Sequence, residues 1–328
     1  MVIDTHTRYA QVAVVDDDGN LQDELRVPND QLEQLAEQYA GSDAVIEASG
    51  NYRPIYEVLD EHLNVTLANP SKNQLIADAT VKTDRLDAKR LAHMLRSGML
   101  AESYVPTDEI RELRDLVRTR KGLVDERTAE KNRVRAVLKR TDNAYDSELF
   151  GPNGREFLAE LSLSTADRTI IEAHLSVIDE YDAQIASLED EIERHVMESP
   201  AAQRLLTIPG VGQFTAAVVV AEVGEIERFD SDNALVSYAG LDPVVHQSVD
   251  KEVRGSISKE GSAQLRWALV QAAHTAIRCD DYFGNFYTRL KRRKNHQVAI
   301  VATARKMLVS IYYMLTRKEV YDPPEVSA

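Results

Sequence analysis

Val2-Ile3-Asp4, Val12-Ala13-Val14-Val15 and Leu25-Arg26-Val27, followed by Ala44-Val45-Ile46-Glu47, are the short apolar runs on which the fold turns. The first three are strand-like in length and rich in β-branched residues, and the acidic turn Asp16-Asp17-Asp18-Gly19-Asn20 joins the last two of them as a hairpin. Gln31–Tyr39 then predicts a helix, Ala44–Ile46 a strand, Ile55–His62 a helix and Val65–Ala68 a strand, with Pro70 to Gly98 mostly helical. A meander of strands passing into alternation with helices describes a mixed α/β sheet with helices packed on it.

Outward from this region the pattern lengthens. Thr107 to Arg140 predicts one long helix, with Ile110, Leu113, Val117, Val124, Val134 and Leu138 on a stripe and Asp108 in its first turn. Gly151-Pro152-Asn153-Gly154 breaks it, and Ala166–Met197 predicts a second, striped by Ile171, Leu175, Ile178, Ile185, Leu188 and Ile192. Two long stripes around one break predict an antiparallel helical hairpin or a coiled-coil arm completed by another subunit; the alternative is two helices packed on their own globular domain. Pro200 ends the arm. Beyond it come Leu205–Gly212, an apolar helix, a short helix opened by Phe229-Asp230-Ser231, the polar stretch Asp242–Ser256, and helices over Leu265–Ile277 and Val298–Leu315. The expected division is 1–103, 104–199 and 200–328.

Composition narrows the setting. The 328 residues contain one cysteine, Cys279, which excludes an internal disulfide and a Cys-rich zinc site, so a reduced, cytoplasmic location is expected. The longest apolar stretch, Phe214–Ala221, falls short of the ~20 residues of a membrane span. The net charge is −15, and 27 Asp and 27 Glu face 27 Arg but only 12 Lys. Such an acid-rich, Lys-poor surface suits high internal salt, and a halophilic source is expected.

The average argues against nucleic acid; the distribution does not. Residues 111–140 carry +6 and residues 165–199 carry −8, while 282–318 hold nine cations and no acid, leaving −24 for the rest. Clustered Arg and Lys neutralise phosphates and release counterions. Tyr282, Phe283, Phe286 and Tyr287 lie beside the cluster, where they could stack on bases. The alternative is a solvated basic face, or one paired with the acidic 165–199 of another subunit. Candidate contacts are Arg118, Arg120, Lys121, Arg133 and Arg135 on the first arm helix, Lys259, and Arg289, Lys291, Arg292, Arg293 and Lys294.

Four carboxylates stand at telling positions. Asp4 follows a strand start, Glu47 ends the buried run Ala44–Ile46, and Asp84 and Asp87, in Lys82-Thr83-Asp84-Arg85-Leu86-Asp87-Ala88-Lys89, lie three apart on a helix and hence on one face. Such a set can hold two Mg²⁺ ions, which take hard oxygen ligands and activate the attacking and leaving oxygens of a phosphodiester. The order Asp, Glu, Asp-x-x-Asp on a meander followed by α/β alternation points to a ribonuclease-H-like nuclease core. Leu206–Gly212 reads as a helix-hairpin-helix in which Gly210 and Gly212 let backbone N–H groups approach a phosphate. The alternative is a glycine turn between packed helices.

Several segments together carry a resemblance: Ile3-Asp4, Glu47-Ala48-Ser49-Gly50-Asn51-Tyr52, Asn69-Pro70, Lys82–Ala88, Ile208-Pro209-Gly210-Val211-Gly212, Tyr238-Ala239-Gly240-Leu241-Asp242-Pro243, Ile257-Ser258-Lys259-Glu260-Gly261 with Leu265-Arg266, and Ala304-Arg305-Lys306. In this order the chain resembles the insertion-sequence transposases of the IS one-ten family, from about residue 2 to 320. The resemblance implies a RuvC-like DEDD domain, a coiled-coil arm and a C-terminal transposase domain. It also implies a recombinase guided by a bridge RNA that pairs with donor and target DNA, acting as a homo-oligomer, a dimer or tetramer, and not at a membrane. Asp4, Glu47, Asp84 and Asp87 would then bind the metal, and a serine of the polar stretch would attack a phosphodiester to leave a covalent protein–DNA link. Counting back from Gly255-Ser256-Ile257-Ser258-Lys259 places that serine at Ser248, with Ser256 and Ser258 as alternatives. Two departures stand out: Val249 replaces the glycine that usually follows the serine, and only three residues precede Asp4. The alternative activities are a Holliday-junction resolvase or nuclease using water, and an inactive nucleic-acid-binding copy.

Overall fold

Strands β1 (Val2–Thr5), β2 (Tyr9–Val15) and β3 (Leu21–Pro28) form an antiparallel meander, to which β4 (Asp43–Glu47) and β5 (Asn64–Ala68) add in parallel on the other edge of β1. The order is β3-β2-β1-β4-β5. The computed structural model describes residues 1–16, 18–48, 52–70, 73, 84–248 and 251–324, without the side chains of 84–89, 244–248 and 251–256. It divides into two units, Met1–Val105 and Pro106–Ala328.

In the first unit, alternation along each strand assigns the two faces of the sheet. Ile3, Val12, Ala44 and Ile46 pack with Leu32, Leu35, Ile55 and Leu59 of α1 (Leu32–Gln38) and α2 (Tyr52–Asp60), the second of which supplies the β4–β5 crossover. Val2, Val45 and Ala68 point the other way, against Ala92 and Met94 of α3 (Asp84–Arg96). Edge strand β3 exposes Gln22, Asp23 and Glu24, a polar rim that discourages pairing with a foreign strand.

In the second unit, α4 (Asp108–Arg140) and α6 (Thr165–Glu198) lie antiparallel. Thr107 caps the first by accepting from the Ile110 N–H, and Ser164 caps the second by accepting from Asp167. Ile171, Ile178, Ile185 and Ile192 are buried seven apart along α6; the distal pair meets Val134, Val137 and Leu138, and Ile192 shares a core with Leu113 and Val117. The break expected at Gly151-Pro152-Asn153-Gly154 is instead the start of a short helix, α5 (Pro152–Glu160). Pro152 occupies its first turn, where no N–H is needed.

The rest of the unit is built on α8 (Gln213–Val223), in which every residue from Ala216 to Val223 is buried. It is preceded by α7 (Pro200–Leu205) and followed by α9 (Asp232–Tyr238). The polar stretch is a hairpin of β6 (Pro243–Ser248) and β7 (Lys251–Ile257), and α10 (Ala263–Cys279), α11 (Asp281–Lys291) and α12 (His296–Arg317) complete the unit. The 22 residues of α12 are long and apolar enough to cross a membrane, yet half of the apolar window is buried inside the fold. Ile300, Ala304, Met307, Leu308 and Ile311 join the core around α8, so α12 reads as a core helix.

Candidate catalytic and nucleic-acid sites

The β1–β4 register pairs Val2 with Val45 and Ile3 with Ile46. One step further sets Asp4 level with Glu47, at the same end of two adjacent parallel strands. Both are exposed. By alternation they share the face of Val2 and Val45, the face on which α3 packs. That helix begins at Asp84; positions 84 and 87 stand two turns and one turn before Leu91, which packs into the same cluster. The side chains of Asp84 and Asp87 lie outside the described residues. His6, which sequence reasoning passed over, brings its Nε2 to 3.4 Å from Asp4 Oδ2 and tilts its ring on Tyr9 at 4.5 Å. Its signal in sequence is the two-residue spacing from Asp4, just beyond the end of β1.

Ser248 ends β6, and its backbone pairs with Lys251 at the tip of the hairpin; its side chain, that of Ser256 and all of Val249 lie outside the described residues. Ser258 sits at the opposite end, where its hydroxyl donates to Asp242 Oδ1 at 2.7 Å and its N–H to the Asp242 carbonyl at 2.9 Å. Lys259 follows, exposed, in the left-handed region at φ 59°. Ser262 caps α10 and donates at 3.0 Å to Glu222, which is 1% exposed. Glu222 had a signal, as the lone carboxylate in an otherwise apolar helix.

The two hairpin glycines differ. Gly210 has φ 94°, and a Cβ there would lie 2.7 Å from the Ala276 nitrogen and 2.8 Å from the Ala272 carbonyl of α10. Its missing side chain is used by helix packing, as the glycine-turn alternative holds. Gly212 has nothing within 4 Å and precedes α8 with no side-chain cap, so its surroundings are open to a phosphate.

Among the basic residues, Arg118 is engaged by Glu222 (3.0 and 3.2 Å) and Arg120 by Glu189 (2.9 Å), with Arg120 also lying over Phe214. Lys121 pairs with Asp125 and lies over Trp267; Arg133 pairs with Glu130. Arg135 is exposed, 5.0 Å from the Phe150 ring centre, and bonds Asn132. In contrast, Arg289, Lys291, Arg292, Arg293 and Lys294 are all exposed, and among the described residues none has an ion pair. The neighbouring aromatics are not equally available. Phe283 is fully buried and stacks on Tyr321, and Tyr287 bonds His296 through its hydroxyl at 2.7 Å.

Two family models match in order along the chain: a DEDD transposase model of IS110 elements over residues 2–142, and the transposase IS116/IS110/IS902 family over residues 202–288. The transposase for insertion sequence element IS1111A of Coxiella burnetii is 30% identical over 253 residues, spanning 73% of this chain and 68% of that protein. The chain belongs to the IS110 transposase family. This transposase is also similar to a probable family 20 transposase of Pseudomonas aeruginosa, 28% identical over 74% of the chain and 68% of the relative. The pilin gene-inverting protein of Moraxella bovis matches at 33% over 125 residues, 37% of the chain and 38% of that protein. The transposase is a DNA-recombining enzyme, and its DEDD domain implies a ribonuclease-H-like fold and a divalent metal.

Proposed function

We propose that this transposase recombines donor and target DNA under the guidance of a bridge RNA, with Asp4, Glu47, Asp84 and Asp87 as ligands of two Mg²⁺ ions and Ser248 as the nucleophile. The observation that carries the reading is the level placement of Asp4 and Glu47 on the face where α3, starting at Asp84, packs. Carboxylate oxygens are the hard donors that Mg²⁺ requires, so the donor set fits the ion. When bound, the metal would stabilise charge on the attacking and leaving oxygens.

Ser248 would attack a phosphodiester through its hydroxyl oxygen, losing the proton; the phosphorus–O3′ bond breaks, the 3′ oxygen takes up a proton, and the protein is left esterified to DNA. Ser258 is the weaker alternative, because its hydroxyl is committed to Asp242. His6 beside Asp4 would orient that carboxylate. The tetrad and Ser248 belong to different units of the chain, which suits a composite site in a dimer or tetramer whose coiled-coil arms are α4 and α6. The acid-rich, Lys-poor composition supports a salt-adapted source, which we take to be a halophilic archaeon, and the single cysteine supports a cytoplasmic location.

The test is Mg²⁺-dependent recombination of a donor and a target plasmid with the flanking noncoding RNA supplied, together with mapping of any trapped protein–DNA adduct. Ser248→Ala is expected to abolish both adduct and exchange, and Asp84→Asn combined with Asp87→Asn to abolish exchange. Full strand exchange by Ser248→Ala would remove the serine mechanism, and recombination without added RNA would remove the guide.

A further inference from the structure

The cations of α11 and α12 are of two kinds. Most stand in solvent, but Lys306 is half-buried, its Nζ 3.7 Å from the centre of the Tyr282 ring and 4.4 Å from that of Phe286. Phe286 also carries the Arg289 guanidinium, 5.7 Å from its ring centre. Among the described residues no carboxylate comes within ion-pair distance of Lys306. The acid nearest in effect, Asp280, has both oxygens committed: Oδ1 accepts from the Phe283 N–H at 2.8 Å and Oδ2 from the Tyr321 hydroxyl at 3.2 Å. Burial first, and then the positive charge of Arg289, hold the Lys306 ammonium below the usual lysine range.

A cation held against two rings, beside a second cation and with no ion-paired carboxylate among the described residues, only the more distant Asp280 offsetting it, stores electrostatic free energy that an arriving anion releases. The rings attract the ammonium and restrict its motion, so less side-chain entropy is lost when an anion binds than for a free surface lysine. No acid lies between residues 282 and 318 to compete for the position. We propose that Lys306 and Arg289, seated on Tyr282 and Phe286, form a fixed binding site for a single phosphodiester of a nucleic-acid backbone. The site rests on the reading of 282–318 as a nucleic-acid surface and gives that surface a register point, around which Lys291, Arg292, Arg293 and Lys294 make looser contacts.

The experiment measures affinity of the full-length protein for three labelled probes of equal length, a DNA duplex, a DNA single strand and a structured RNA, from about 50 to 200 mM salt. On the probe that occupies the site, Lys306→Gln and Arg289→Gln are each expected to weaken binding several-fold and to reduce the steepness of the log–log salt plot by about one unit. Lys306→Arg is expected to restore the slope, which a merely structural lysine would not do. The probe whose slope changes identifies the source of the phosphate. Arg289 is exposed and its replacement leaves the core intact, so Arg289→Gln carries the test should Lys306→Gln unfold. Wild-type protein binding a probe with a steep slope, on which both glutamine variants superimpose, overturns the site and leaves the basic surface standing. Wild-type protein that binds none of the three removes the surface and the site together.

Discussion

The arm and the α11–α12 region are both rich in arginine and lysine, and the structure treats them in opposite ways. Along α4 the cations meet α6: Arg120 pairs with Glu189, Arg127 with Asp182 and Arg140 with Asp167. Part of the opposed charge on the two arm helices is therefore matched across the arm, and Arg118, Lys121 and Arg133 are taken up by Glu222, Asp125 and Glu130. Along α11 the cations have no such partner among the described residues, because α10 and α12 supply buried apolar side chains rather than acids. Net charge over a segment cannot separate these cases; only the identity of the neighbour across the packing interface can.

Neutralising each region in turn separates a nucleic-acid surface from an internally paired one. Replacing Arg289, Lys291, Arg292 and Arg293 by Gln is expected to cost about a thousandfold in nucleic-acid affinity at ~0.1 M salt, since each lost phosphate contact removes roughly one unit of the salt slope. Replacing Arg120, Arg127 and Arg140 by Gln is expected to leave affinity within about threefold and to lower the unfolding free energy by about 1–2 kcal/mol, the sum of three pairs that each keep one partner about half exposed. Titrations of both variants beside urea unfolding decide it; a thousandfold loss in the arm variant would assign the arm to the nucleic-acid surface after all.

Glu222 sharpens the contrast from the other side, because its pair with Arg118 spans a burial gradient: the carboxylate is 1% exposed and the guanidinium side chain 49%. Glu222→Ala leaves Arg118 able to reach water but strips Ser262 of an acceptor, and the expected loss is about 2–3 kcal/mol by urea unfolding. Arg118→Ala should cost as much or more, since it strands a buried carboxylate. A loss below about 0.5 kcal/mol for both would mean that the pair contributes no more than a solvated surface contact.

Much of the first unit was legible because strand alternation is local. Val2-Ile3 and Ala44–Ile46 announce buried strands in their own sequence, whereas the parallel register that sets Asp4 beside Glu47 is a pairing between distant strands and came from the structure. The fate of the basic residues was not legible, because the Arg120–Glu189 pair joins positions 69 apart and depends on the helical register of α4 against α6. Helix α11 was also missed. No element was expected around Gly284, yet a Cβ there would approach the Ile277 carbonyl at 3.0 Å, so the glycine serves close packing against α10. The hairpin glycines fall between. Sequence gave both the same expectation, and only the neighbour in space separates them. Gly210→Ala is expected to lose about 2 kcal/mol or more from its positive φ and the contact with α10, and Gly212→Ala under about 0.5 kcal/mol, as judged by thermal unfolding. Equal losses would place Gly212 against protein as well.

The smallest expected effect tests whether the arm pairs are ion pairs at all. Hydrogen bonding from Arg140, then from the Ser164 hydroxyl at 2.8 Å, holds the Asp167 carboxyl below the usual carboxylate range. A carboxylate whose folded value is lowered binds its proton more readily when unfolded. It therefore stabilises the fold above the ordinary aspartate value near pH ~4, and the contribution disappears as pH falls through the lowered value. The difference in unfolding free energy between wild type and Asp167→Asn is expected to be flat from neutral pH to about pH 5 and to shrink below about pH 4. The same comparison in high salt should reduce the plateau, since the Arg140 side of the pair is about half exposed and screened. A difference that stays constant through the acid limb would mean that Asp167 acts only by accepting from the Ser164 hydroxyl, a role asparagine can share, and that the arm's opposed charges are neighbours without being partners.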